Sequence, residues 1–266
     1  MNHRTHPLVL RLAKPLLRVQ LRLYQRALTA APFPADEPDF SMPGENPDRL
    51  SFVGSIAVSG YGVLHHGMKT SSRTAQQLAA TRERGCVWTE ATSPTLSISG
   101  AADLPFLVSD DADAAVLIIG ITDVLLGTEP DEWRRSLQRI IARIRHEASA
   151  ETVVVVAEIP PMWKFQEVTG AAAELITTGI EELNAVTRAV VADTRGAVTV
   201  PFPTVEQDQL FVRDSLSWAT MHKLWAKALT PAVANLLAER EALAAAGPAA
   251  STVEAPREKR VATPVA

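Results

Sequence analysis

The chain has one cysteine, Cys86, in 266 residues. A single thiol cannot close an internal disulfide, and no cysteine cluster suggests structural zinc. Positive charge is not in excess either. The net charge is −4, whereas a nucleic-acid-binding domain usually carries a basic footprint. Nucleic acid is therefore not expected as a partner. No apolar run approaches the ~20 residues that a membrane-spanning helix needs. The most apolar segment near the start, 8–28, is broken by Arg11, Lys14, Arg18, Arg22 and Arg26. These charges also interrupt the ~7–15-residue apolar region of a secretory signal peptide. Without a recognisable span or cleavable signal, a cytoplasmic location is expected, with peripheral attachment to a membrane as the alternative. No internal repeat is visible. Gly60 and Gly62 form only a Gly-x-Gly turn, short of the longer glycine fingerprint that cradles phosphate. Neither a cofactor nor a bound metal is expected.

What is present suits one sizeable core. Hydrophobic residues make up 47% of the chain, enough for a single α/β domain with terminal extensions. The bases in 8–28 are spaced three, four, four and four apart, which puts them on one face of a helix. Leu10, Leu17, Leu21 and Leu28 fill the other face, and Pro15 is expected to kink it. Two arrangements fit this pattern. The helix packs on the domain with its basic stripe in water, or it makes peripheral contact with an anionic membrane surface through residues 8–28. Residues 29–48, rich in proline and acids, read as a linker.

From residue 49 apolar strands and amphipathic helices alternate. Strands are expected at 49–58, 86–93, 114–126, 152–161 and 197–203, and helices at 71–85, 129–148, 171–195 and 217–239. Ser71 and Ser72 supply a cap signal for the first of these helices. The alternation implies an α/β, flavodoxin-like three-layer sandwich, with about five parallel strands and helices on both faces. The expected organisation is a basic amphipathic helix over 1–28, a linker over 29–48, one α/β domain over 49–240 and a disordered tail over 241–266. In such sheets ligands bind beyond the carboxyl ends of the strands. The residues just after each strand are therefore the site candidates.

Those loops carry a resemblance. Val53-Gly54-Ser55 is followed by a small-residue turn, and Gly120-Ile121-Thr122-Asp123 ends the third strand. Ile159-Pro160-Pro161 ends the fourth, and Asp214 stands three residues before Ser217, ahead of Trp225-Ala226. In this order the blocks resemble those of the SGNH (GDSL-type) hydrolases over roughly 49–240. The group most similar is a set of actinobacterial SGNH-like proteins that also carry a basic N-terminal helix. The resemblance implies that Ser55 is the nucleophile and that Asp214 is the acid of the triad. It also implies that Gly54 holds the place of the usual aspartate, and that Gly120 and Thr122 line the oxyanion pocket, with Thr122 at the place of an asparagine. Ser93-Pro94 stand near the place of a donor glycine.

The same resemblance places Ser217 where the family has its catalytic histidine. A serine hydroxyl attacks only when a base removes its proton, and Ser217 accepts no proton near neutral pH. His65 and His66, in the loop after the Ser55 turn, are candidates to line the pocket as a nonstandard base. His222 is a weaker candidate for a relocated base, against a helix-surface or partly buried histidine. Trp163 is a candidate pocket wall. Asp123 is expected to stabilise its loop, and Trp133, Trp218 and Trp225 to pack in the core. The expected function is an SGNH-type serine hydrolase acting on an ester or acyl group, with a degenerate site and weak or no turnover. The alternative is a non-catalytic ligand-binding or scaffold module of the same fold. The expected ligand is a small-molecule ester or acyl compound; oligomeric state is not readable from the sequence.

Overall fold

A computed structural model describes residues 7–162, 168, 170–204 and 217–246, with side chains from residue 14 onward. Its centre is a six-stranded sheet built from β1 (Ser41–Met42), β2 (Asp48–Gly54), β3 (Cys86–Thr92), β4 (Ala114–Ile118), β5 (Val153–Ala157) and β6 (Ala197–Val200), in the order β1-β3-β2-β4-β5-β6. β2 to β6 run parallel to their neighbours, and only the two-residue β1 is antiparallel. β4 and β5 are buried at every residue, as expected for strands covered on both faces. Side chains alternate between two cores. Val53, Ala115, Leu117, Val154 and Val156 point to one, and Phe52, Val116, Val153 and Val155 to the other.

The helices are α1 (Pro7–Ala30), α2 (Ile56–Ser59), α3 (Thr70–Arg82), α4 (Ile98–Ala102), α5 (Ile121–Leu126), α6 (Pro130–Glu147), α7 (Ala171–Ala192) and α8 (Trp218–Ala246). α3 and α8 cover the second core, which takes in Leu78, Trp225, Leu229 and Val233. α6 and α7 cover the first. α6 starts with Pro130 at its first position and with Asp131 and Glu132 in its first turn, and buries Trp133, Leu137, Ile140, Ile141 and Ile144. The layers and the parallel sheet agree with the expected flavodoxin-like sandwich.

Several local expectations give way to tertiary contacts. The run 114–126 is not one strand. β4 ends at Ile118, Gly120 turns the chain at φ 128°, and α5 follows. A Cβ on Gly120 would lie 2.5 Å from Ile159 side-chain carbons, so the turn needs glycine twice over. Apolar runs do not distinguish a buried strand from a buried helix by period alone. α3 is not capped by Ser71 or Ser72. Lys69 is the cap residue without a side-chain bond, and both serines are buried inside the first turn. α8 runs on to Ala246, past residue 240.

The N-terminal segments lie against the domain. Leu17, Tyr24 and Leu28 of α1 are buried in the first core, and the helix runs on through Pro15. Residues after Ala30, linker-like in composition, are held at several points. Gly62 N–H donates to Pro32 O at 2.9 Å, and Phe33 meets Tyr61 edge-on at 5.7 Å. Trp88 N–H donates to Phe40 O at 3.0 Å, next to β1 pairing with Cys86 and Val87. The segment thereby covers part of the β3 edge, whose backbone groups would otherwise face solvent.

Candidate functional site

The order of the parallel strands reverses between β2 and β4, because the chain goes first outward to β3 and then back to β4. At such a switch point the two following loops diverge and leave a crevice. Ser55 follows β2 there, and the 120–122 turn follows β4. The two strand ends are very close. Gly54 pairs with Ile118, and Ser55 N–H donates to Ile118 O at 3.1 Å. A Cβ on Gly54 would meet Ile118 O at 2.3 Å. Glycine at 54 is thus required by strand contact, whatever else the position does.

Ser55 opens α2 without capping it by its side chain. It is 2% exposed. Its carbonyl accepts from Val58 and Ser59 N–H, and the Thr92 hydroxyl bridges Gly54 O at 2.8 Å and Ser55 O at 3.3 Å. The cavity beside it measures about 10 Å³ and is walled by Ile118, Ile121, Glu158, Pro160, Met221 and Trp225. That is room for about one water molecule. A hollow of about 280 Å³, lined by Arg145, Thr152, Arg195 and Arg240, lies at the amino ends of β5 and β6, the end of the sheet opposite the switch point.

Thr122 is buried, and its hydroxyl has no hydrogen-bond partner among the described residues. Tyr24 of α1 comes in from behind this turn. Its hydroxyl donates to Pro94 O at 3.0 Å, and burial pushes its pKa far up, so it remains a donor. The nearby Thr122 hydroxyl opposes that shift weakly. Neither Tyr24 nor Thr92 was a site candidate from the sequence. The available signal was a hydroxyl-bearing aromatic on the apolar face of α1.

His65 and His66 both turn to Asp36. His66 takes Asp36 through its backbone N–H and Nδ1, both at 2.8 Å from Oδ1. His65 Nδ1 lies 3.6 Å from Asp36 Oδ2, with its side chain 67% exposed. Among the described residues neither histidine hydrogen-bonds Ser55. The backbone N–H of His66 is the main cause holding the Asp36 carboxyl below its ordinary range.

His222 is fully buried and spoken for at both nitrogens. Nε2 donates to Tyr61 O at 3.0 Å, while Nδ1 accepts the Thr70 N–H at 3.1 Å. The Thr70 hydroxyl is also within 2.9 Å of Nδ1. The imidazole therefore caps the first turn of α3 from α8. Burial lowers its pKa to about 4, which keeps it neutral in that role. Its complete burial goes beyond the helix-surface or partly buried place expected of it, and with both nitrogens engaged it has none left for Ser55.

Ser217 acts as a helix cap. Its Oγ accepts the Thr220 N–H at 3.1 Å, and its carbonyl accepts Met221 N–H. Asp123 is buried at the start of α5, where both carboxylate oxygens accept the Ile98 N–H at 3.0 and 3.1 Å. Burial raises its pKa to about 7. Trp133 and Trp225 are core, and Trp218 stacks edge-on with Tyr61 at 4.6 Å. Asp214 and Trp163 lie outside the described residues. Among the described residues no group of three or more histidines, cysteines or carboxylates is placed to hold a metal ion.

Solved structures of similar fold include the lipase Lip_vut3 from a goat rumen metagenome, with a TM-score of 0.55 and 11% identity over 70% of this chain and 97% of that one. TesA matches with a TM-score of 0.53 and 18% identity, over 71% of this chain and 99% of its own. A family two carbohydrate esterase from Clostridium thermocellum, in complex with cellohexaose, matches with a TM-score of 0.51 and 15% identity. That match covers 74% of this chain and only 66% of the esterase. At such identities the likeness establishes the fold alone. No curated protein matches the sequence. The model of the GDSL-like lipase/acylhydrolase family matches residues 54–228, from the Ser55 turn into α8. With more than half of its length matched in this way, the chain belongs to the GDSL-like lipase/acylhydrolase family.

Proposed function

We propose that the protein is an SGNH-type fold for a small ester or acyl ligand whose serine site is degenerate, so that hydrolysis is weak or absent. The observation that carries this reading is Ser217. It occupies the place of the family's base and spends its hydroxyl on capping α8. No described histidine hydrogen-bonds Ser55, and Glu158, the carboxylate that lines the same cavity, is taken up by Arg188 at 2.8 Å. Thr122 replaces an amide donor with a hydroxyl at the oxyanion position. Loss of one oxyanion donor costs roughly 100–1000-fold in rate, and loss of the base adds to this because triad members act as a unit.

The second reading is a non-catalytic ligand-binding or scaffold module, and the 10 Å³ cavity at Ser55, with room for about one water, favours its scaffold form. Turnover of p-nitrophenyl acetate and butyrate separates the two. Native protein, Ser55→Ala and Ser217→His are compared. A degenerate hydrolase gives slow turnover that Ser55→Ala abolishes, or none until Ser217→His restores it. A scaffold gives none, and none is restored by Ser217→His. Native turnover at the rate of an intact GDSL esterase would refute both.

A further inference from the structure

α1 has two faces, and the domain uses one. Leu17, Tyr24 and Leu28 are buried against it. On the opposite side Arg18, Arg22 and Arg26 are exposed at four-residue spacing. Val19 and Leu23 stand among them, 49% and 50% exposed. At ~100° per residue these five side chains share an arc of about 140°. The described ion pair of this helix is Lys14 with Glu129, at 3.9 Å. Arg18, Arg22 and Arg26 make none among the described residues.

We propose that this outer face docks the protein on an anionic lipid surface. The arginines meet the headgroups, while Val19 and Leu23 enter the boundary with the acyl chains. Two features favour lipid over other polyanions. The apolar side chains gain from an acyl boundary and nothing from a phosphate backbone. The chain as a whole is acidic, net −4, so a local basic face is what an anionic surface attracts, and it fixes orientation. No described helix is long and apolar enough to cross a membrane; α1 would lie in the interface while staying packed on the domain.

Docking in this way has a consequence for the ligand end of the sheet. Leu23 faces out where the adjacent Tyr24 faces in and holds Pro94, in the loop after β3. That loop is then about one helix diameter, ~10 Å, from the lipid-facing side. The proposal does not use Ser55 or Ser217 and stands apart from the catalytic reading.

The test is co-sedimentation of full-length protein with vesicles of phosphatidylcholine alone, and of phosphatidylcholine and phosphatidylglycerol in equal parts. Two surface variants are compared, Arg18→Ser/Arg22→Ser/Arg26→Ser and Val19→Ser/Leu23→Ser. All five positions are exposed, and unchanged thermal melts confirm that both variants fold. Binding is expected only to the anionic vesicles. Each arginine removed lowers the partition coefficient about fivefold, so the triple variant loses about 100-fold, and the apolar variant binds measurably less. No binding of native protein to anionic vesicles overturns the proposal. So does binding that either variant leaves unchanged. Duplex DNA binding or dimerisation through this face, without vesicle binding, also overturns it.

Discussion

Two buried groups titrate in opposite directions, and together they should hide each other. His222 is fully buried with Nδ1 committed to the Thr70 N–H, and its pKa falls from an ordinary 6.5 to about 4. Between those values the unfolded chain binds a proton that the native state refuses. His222 therefore contributes stability that is complete above pH 6.5 and is lost as pH falls toward 4, about 3 kcal/mol in all at about 1.4 kcal/mol per unit. Asp123 does the reverse. Burial raises its pKa from 3.8 to about 7, so the native state holds a proton that the unfolded chain releases. Its contribution is complete below pH 3.8 and is lost as pH rises to 7, about 4 kcal/mol. Across pH 4–6.5 the two slopes oppose one another, and their sum in the native protein is close to flat. Urea unfolding at stepped pH, with native protein, His222→Gln and Asp123→Asn, separates them. Gln keeps a donor for Tyr61 O and an acceptor for Thr70 N–H, and neither new side chain titrates. Asp123→Asn should gain about 3 kcal/mol between pH 4 and 6.5, and His222→Gln should lose about as much over the same interval. Variant profiles parallel to the native one would refute the reasoning, since neither group would then be titrating differently in the folded and unfolded states.

Other consequences can be checked separately. Lys69 and Glu90 form a buried ion pair, with Ser71 donating to the same carboxylate. Lys69→Ala should cost about 3–5 kcal/mol in urea unfolding by leaving the carboxylate buried and unpaired, and Lys69→Met with Glu90→Leu should recover most of it. Cys86 is fully buried and its pKa is pushed up to about 12, chiefly by burial. A thiol reagent such as dithionitrobenzoate should leave it untouched in native buffer and react once in denaturant. Tyr24→Phe should cost about 1 kcal/mol for the lost bond to Pro94, while Tyr24→Ala should cost about 3–5 kcal/mol by opening a cavity under α5. Gly120→Ala should destabilise by ~2 kcal/mol or more, because φ 128° and the Ile159 side chain both exclude a Cβ.

The sequence by itself determined the layered fold. β4 and β5 lie within the apolar runs 114–126 and 152–161 read as strands, and α6 carries its apolar stripe and acidic first turn in plain view. Such features are local and periodic, so a linear reading captures them. The order of the blocks from Ser55 to Ser217 also belonged to the sequence, as did the absence of histidine at 217. Tertiary structure alone decided the rest. His222 meets Thr70 across 152 positions of chain, and no period announces that contact. Lys69 stands as the cap residue of α3, with Ser71 turned to Glu90 on β3, because buried charge must be paired and the pairing comes from another element. Residues 31–42 looked like a linker by composition, yet the open edge of β3 gave their backbone a place to bind. Tyr24 became part of the site's support because α1 packs behind the turn that holds Thr122. In each case the deciding quantity is the proximity of groups distant in the chain, which exists only once the sheet has formed.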